Sequence, residues 1–437
     1  MIQISRRSLN IGLIAAATAA DVRGRLAFAD DLDVTRHLPR KFAGKTLRMM
    51  TGNDPVTMAL ARYSSRFTDA TGAHIDFSYS GSNDRYQKMV LDLTSRANSF
   101  DVYTLAYQWK YEVAPYLADL SNIETDVKGA PPLDLADYPE RALDVYGKFE
   151  GRLKALPLLG STTFLVWNKK AYRAAGLDPE ASPADWQQVY DNARKLTHGK
   201  QYGFNLPAGK GDQCMCLWIV LFHSFGGKYF GPDGRPQFDT APAIETMRFM
   251  ANNLRSVSPP DDLTWDFPEM VNSFVTGEAA QGFMWPGGFS TISDPTKSVV
   301  AGHTGMRPTP GAVLLGGWSL AVNARSPNLE LAKLYVAWLT SKQVSTQTAA
   351  FTGQPVRISA FTNPALIAKF PQYPMVLAAL LGPVVQFVPI KEAQQIHIMI
   401  FNQANAACAG TKTPEQAAKD LQEQATRFMI RRGYLKT

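Results

Sequence analysis

The chain has 437 residues, room for two or three domains of about 150 residues each. It is 45% hydrophobic and 19% charged, the balance of a soluble globular protein with a large core. Of the net charge of +7, +3 comes from four arginines and one aspartate in the first 29 residues, and no block of five or more like charges follows, which argues against a nucleic-acid partner.

Residues 1–29 read as an export signal rather than as part of the fold. Ser5-Arg6-Arg7-Ser8-Leu9 is a twin-arginine pattern, an apolar run over 11–20 follows, and Ala27-Phe28-Ala29 is a small-residue cleavage site. The run is too short to stay as a membrane anchor, and no cysteine near the cleavage site offers a lipid attachment point. The expectation is twin-arginine export to a bacterial periplasm, with cleavage after Ala29 and no lipid anchor.

Beyond the signal, 45–50 predicts a first strand, 51–55 a turn, 56–68 an amphipathic helix and 74–79 a second strand. The loop 80–84 offers Ser82 or Asp84 as a cap for a helix over 86–97, and 100–105 is a third strand. This βαβαβ order predicts a mostly parallel sheet covered by helices. Ligands of such sheets lie beyond the carboxyl ends of the strands, which here places Asn53, the 80–84 loop and Ala106-Tyr107-Gln108-Trp109 at one rim.

Residues 151–176 hold a long apolar run interrupted by Pro157, which cannot donate a ladder hydrogen bond. Two strand segments with a joint at about 157–162 are expected, a place where the chain leaves one lobe for another. Helices follow over 169–176 and 182–198, the latter opening on a Ser182 cap with proline at its first position. A strand is expected over 202–206, helices over 212–225, 241–253 and 267–277, and a strand over 279–285. Arg307-Pro308-Thr309-Pro310-Gly311 forms a second joint before a strand over 316–323, and a helix spans 328–340. Residues 351–359 read as irregular, and the rest is helical apart from a proline-rich loop between 370 and 389. Two α/β halves with two Pro/Gly joints predict two lobes linked by more than one crossover.

The three cysteines stand at 214, 216 and 408. Cys214 or Cys216 could pair with Cys408, or all three could serve as small buried hydrophobes. None of the six histidines stands in a nucleophile or metal motif, and no cofactor is expected. The adjacent carboxylates Asp30-Asp31 and Asp261-Asp262 sit in expected loops. A periplasmic carbohydrate-active enzyme, which needs two carboxylates facing across a cleft, is therefore the weaker reading beside a binding protein.

The order of these signals resembles the extracellular solute-binding proteins of ABC transporters, in the sugar-binding family that includes maltose- and glycerol-3-phosphate-binding proteins. The residues that carry the resemblance are FDVYTL at 100–105, LPLLGSTTFLVWNKKAY at 156–172, AGLDPEASPADW at 175–186, FVTGEAAQGFMWPGG at 274–288, GGWSLAVNARSPNLELAKLYVAWLTS at 316–341, GQPVR at 353–357 and GTKTPEQAAKDL at 410–421. The resemblance implies a two-lobe α/β periplasmic binding fold of the type II, Venus-flytrap kind, with a multi-segment hinge, closing on a ligand and delivering it to the permease subunits of an importer. The lobes are expected at 30–157 with 305–347, and at 158–304 with 348–437. A monomer is expected.

By motif, the resemblance places ligand contacts at Ser161 on the crossover strand, Trp285 and Gly287 after the GEAA strand, Gly317 and Trp318 in the second hinge strand, and Arg357. It adds Tyr107 and Gln108 after the third strand, and Asn83 and Asp84 after the second. Where the maltose-binding protein has an acidic residue on the crossover, this chain has Ser161, so maltose specificity does not carry over. A sugar presents an apolar C–H face to an aromatic plane and a ring of hydroxyls to polar groups. Trp285 and Trp318 lie in glycine-rich segments suited to the first task, and Arg357 to the second. A polyamine- or ferric-ion-binding protein of the same build is the alternative within transport; the first would want several cleft carboxylates and the second paired tyrosines.

Overall fold

The computed structural model describes residues 33–436, so the expected export signal lies outside the described residues. Strand β1 (Thr46–Gly52) buries Leu47, Met49 and Met50 and pairs in parallel with β2 (His74–Ser80). One helix was expected between them; there are two, Pro55–Tyr63 and Ser65–Thr71. Ser64 is the reason, because its hydroxyl turns back to Leu60 O at 2.9 Å and meets Tyr335 Oη at 2.7 Å, interrupting the run. The next helix, Ser82–Ser95, starts earlier than expected behind Gly81, with neither Ser82 nor Asp84 as its cap. Strand β3 (Val102–Ala106), wholly buried, adds in parallel to β1.

A short hairpin of β4 (Lys148–Phe149) and β5 (Arg152–Leu153) follows, turned by Glu150 and Gly151 at φ 49° and 76°. Strands β6 (Ala155–Thr162) and β7 (Phe164–Asn168) then come from one apolar run and are buried throughout. The remaining strands are β8 (Gln281–Met284), β9 (Thr304–Pro308) and β10 (Leu315–Val322). The first sheet has the order β2-β1-β3-β10-β6, with β10 antiparallel to both its neighbours. The second, β8-β7-β9, is antiparallel throughout. The expected mostly parallel build therefore holds only for β1, β2 and β3.

The chain changes sheets at Thr163, just past the joint expected at about 157–162, and Pro157 itself is not the break. Pro157 lies inside β6 opposite Ser319, where a register shift between Trp318 and Ser319 absorbs the missing donor. The return crossing runs between β9 and β10, and Arg307 and Pro308, expected at the start of the joint over 307–311, instead end strand β9. Thr163 stitches the two crossings together: its N–H donates to Leu314 O at 3.2 Å, and its Oγ1 accepts from Leu314 N at 3.0 Å and lies 2.8 Å from Thr309 Oγ1.

Residues 202–206, expected as a strand, contribute only bridges from Tyr202 to Ala279 and from Asn205 to Gly282 along β8. The helix Trp186–Leu196 is capped by Asp185, which accepts from Gln188 N, and so begins after Ser182 and Pro183. The helix Asp212–Ser224 is buried from Cys214 through Phe222, as suits a segment apolar on every side. The helix Ala393–Cys408 packs on it and against Pro414–Arg431. Cys214, Cys216 and Cys408 are buried free thiols; burial pushes all three up, Cys408 to about 12. Among the described residues no helix is long and apolar enough to cross a membrane.

Candidate functional site

Eight of the expected residues are built into the region where the lobes meet. On the first lobe, Tyr107 and Gln108 follow β3 and are buried, and Asn83 sits in the opening turn of Ser82–Ser95. Tyr107 Oη donates to Leu315 O at 2.9 Å and accepts from Phe387 N at 3.1 Å, so it ties β10 to the chain beyond. Asn83 Oδ1 accepts from Gln394 Nε2 at 2.8 Å, and Gln394 Oε1 accepts from Trp109 Nε1 at 3.0 Å. Gln394 stands in the helix Ala393–Cys408, which makes this a direct bridge between lobes.

Trp285 and Trp318 stand on either side of β10's glycines. Trp285 caps the turn after β8, and its indole N–H donates to Gln213 Oε1 at 2.7 Å. Its six-membered ring packs against Gly316: a Cβ there would stand 2.7 Å from Cη2 of Trp285. Gly317, at φ 139°, admits no side chain either, since a Cβ would meet Leu159 O at 2.6 Å and the Tyr146 ring at 2.8 Å. Trp318 is partly exposed and stacks under the Arg85 guanidinium at 4.3 Å, with Trp109 edge-on at 5.6 Å. One face of Trp318 is thus covered by protein. Ser161 lies opposite Gly316 in the ladder; its Oγ and Thr162 Oγ1 are buried with no hydrogen-bond partner among the described residues. Gly287 leaves room for Gln354, whose Oε1 would be 3.0 Å from a Cβ there.

Of the other three expected residues, two are exposed beside the site and one is buried away from it. Asn53 and Asp84 are exposed. Arg357 is fully buried: its guanidinium donates to Thr340 O at 2.9 and 2.7 Å, Leu133 O at 2.8 Å and Asp134 O at 3.1 Å. Asp137 at 3.6 Å and the face of Tyr138 at 4.1 Å complete its shell. These partners saturate a fork that was expected to hold a ligand, so Arg357 is an internal bracket.

Two charged residues that the motifs did not point to fill the place instead. Arg85, on the buried stripe of Ser82–Ser95, is 3% exposed, and its Nε lacks a partner among the described residues. Burial brings its guanidinium down to about 10 against the pull of Asp54 and Asp212. Asp212 opens the apolar helix Asp212–Ser224; its stem is half-buried, while Oδ1 is enclosed and lacks a partner among the described residues. Burial pushes its carboxyl up, opposed by Ser82, Gln394 and the charge of Arg85. Nearby Asp266, pushed up to about 6 by burial and by Asp212, is held in a capping box with Glu269. The sequence signals were an arginine on an otherwise core-facing stripe and a lone carboxylate heading an apolar helix. Among the described residues no cluster of three or more histidine, cysteine, aspartate or glutamate side chains is arranged to hold a metal ion.

Comparison with known proteins gives this geometry a context. The family model described as bacterial extracellular solute-binding protein matches residues 54–345. A probable amino-acid ABC transporter periplasmic-binding protein of Sinorhizobium fredii is 48% identical over 434 residues, 99% of this chain and 100% of the relative. A mannitol-binding protein of Pseudomonas aeruginosa is 26% identical over 428 residues, 90% of this chain and 95% of that one. Among solved structures, an ABC transporter solute-binding protein of Agrobacterium radiobacter K84 in complex with ribitol superposes with a TM-score of 0.82 at 26% identity, covering 90% of this chain and 100% of the other.

Proposed function

The chain belongs to the bacterial extracellular solute-binding proteins, and from that membership we propose that it captures a small neutral polyhydroxylated solute, a sugar or polyol, between its lobes. The family places it outside the cytoplasmic membrane, as the binding component of an ABC importer that hands its ligand to permease subunits. The observation that carries the solute reading is the pairing of two partly exposed tryptophans on glycine-lined backbone with enclosed, unpartnered hydroxyl, guanidinium and carboxylate groups. Aromatic planes suit the C–H face of such a ligand and the polar groups suit its hydroxyls. Relatives named for mannitol and solved with ribitol support the same class.

A second reading has one observation in its favour. Arg85 and Asp212 carry opposite charges, and could take the two ends of an amino acid, the ligand class in the name of the Sinorhizobium fredii relative. A thermal-shift screen of sugars, polyols, amino acids and polyamines separates these readings, with mass spectrometry of the recovered ligand. A stabilising sugar or polyol returned intact supports capture without turnover. A chemically altered product overturns it in favour of an enzyme. Trp285→Ala should weaken binding at least about 30-fold, the scale of a buried tryptophan anchor, while leaving the melting temperature of the free protein nearly unchanged.

A further inference from the structure

We propose that Arg85 and Asp212 form a two-sided clamp for ligand hydroxyls and are the specificity-determining pair of the cleft, selecting neutral polyols and sugars over their acid and amine counterparts. The inference rests on the reading of the cleft as a site for polyhydroxylated solutes. Its starting point is a mismatch of hydrogen-bonding capacity. Arg85 offers donors only, and an ionised Asp212 offers acceptors only. Each has one enclosed atom without a partner among the described residues, Nε of Arg85 and Oδ1 of Asp212.

The two side chains come from opposite lobes. Arg85 is on Ser82–Ser95, beside the first sheet. Asp212 heads Asp212–Ser224, on which the helix carrying Gln394 packs. Hydrogen bonds and packing bring the two together. Asn83, two positions before Arg85, accepts from Gln394, whose helix packs on Asp212–Ser224. Gln213, next to Asp212, holds the Trp285 ring against Gly316, two positions before the Trp318 that carries Arg85. Each group also feels the other's charge. Arg85 is held in orientation by the Trp318 face at 4.3 Å and Trp109 at 5.7 Å. Two other acids are nearby, and both take part in helix caps, although Asp54 also pulls on Arg85, more strongly than Asp212 does. Asp54 accepts from Val56 N, Thr57 N and Thr57 Oγ1 at 2.9–3.0 Å, and Asp266 belongs to its helix cap.

A hydroxyl can accept from Arg85 and donate to Asp212 at once. Two neighbouring hydroxyls would complete both sides without adding charge to an enclosed site. A carboxylate could accept from Arg85 but would face Asp212 uncompensated, and an ammonium would satisfy Asp212 but face Arg85; either leaves buried charge unbalanced.

The test is calorimetric titration of the full mature protein and of Asp212→Asn and Arg85→Gln. The probes are the neutral sugar or polyol that stabilises the wild type most, its terminal-carboxylate derivative and its terminal-amine derivative. The wild type should bind the neutral probe and discriminate against both charged ones. Each variant should lose on the order of 10- to 100-fold in affinity for the neutral probe, the scale of a hydrogen bond to a charged group. D212N should also narrow the gap to the carboxylate, and R85Q the gap to the amine. Melting curves establish that each variant folds, and if one fails, the other tests the clamp from the opposite lobe. Neutral binding within threefold of wild type in a folded variant, or no change in charge discrimination, overturns the clamp while leaving the solute reading intact. If the wild type binds an amino acid and no sugar or polyol, the solute reading falls and the clamp with it.

Discussion

Arg85 and Arg357 show how the same side chain serves two ends. Arg357 has backbone carbonyls on three sides and 0% exposure, so it joins Leu133 and Asp134 to the end of the helix Leu329–Thr340. Its replacement by methionine leaves those acceptors unpaired and should cost about 3–5 kcal/mol of stability. Chemical denaturation would read that loss, and any protein that remains folded should keep its ligand affinity. His397 gives a residue-scale test with a definite sign. It is fully buried, both ring nitrogens lack partners among the described residues, and burial lowers it to about 3. The native state therefore resists protonation that the unfolded chain accepts at about 6.5. Its contribution is present above that value and is lost as pH falls toward 3, at about 1.4 kcal/mol per pH unit. Asp262, raised to about 7 by burial despite Arg255 at 3.4 Å, runs the other way, favouring the fold at low pH and losing that effect as pH rises from 3.8 toward 7. His397→Phe should therefore flatten the acid side of the stability–pH curve relative to wild type; an unchanged slope between pH 6.5 and 4 would remove His397 as its cause. Arg357 was legible as a motif position but not as a buried one, because a local pattern says nothing about the carbonyls that two other segments bring to it.

At the scale of elements, β10 organises the site. Gly316 lets the Trp285 ring lie against the strand, Gly317 lets Leu159 and Tyr146 approach, and Trp318 supports Arg85. Tyr146 Oη donates to Gly316 O, fixing the strand from the far side. Gly316→Ala should displace the Trp285 indole and break its bond to Gln213. The expected loss of affinity approaches that of Trp285→Ala, about 30-fold, with little change in melting temperature. Affinity within threefold of wild type would show that the ring's contact with β10 is not needed for binding. The glycines and tryptophans of this strand were legible, because Gly-Gly-Trp after a Pro/Gly joint is unusual for a buried strand. The places that misled are those where tertiary contacts override local signals. Ser64 breaks a helix through Tyr335, and Pro157 is tolerated inside β6 because β6 bulges at Leu158 beside it. Asp185, not Ser182, takes the cap that fits its helix.

At the scale of the molecule, one apolar run is divided between two sheets at Thr163, and the return crossing is hydrogen-bonded to the same residue. A hinge made this way moves both crossings together. The two-lobe plan was legible because apolar runs and Pro/Gly joints are local features. The clamp was not, because Arg85 and Asp212 are 127 positions apart and only the fold gives them a shared space. The lobe boundaries expected at 157/158, 304/305 and 347/348 remain our proposal for where the chain divides, and Thr163 marks the sheet change close to the first. The account's central claim is that the cleft takes a neutral polyhydroxylated ligand. Isothermal titration of the protein against a panel of neutral sugars and polyols, amino acids, polyamines and glycerol phosphates tests it most directly. The account predicts one-to-one binding of at least one neutral sugar or polyol, more tightly than any charged member of the panel. Saturable binding of an amino acid or polyamine, with every neutral sugar and polyol silent, would contradict it.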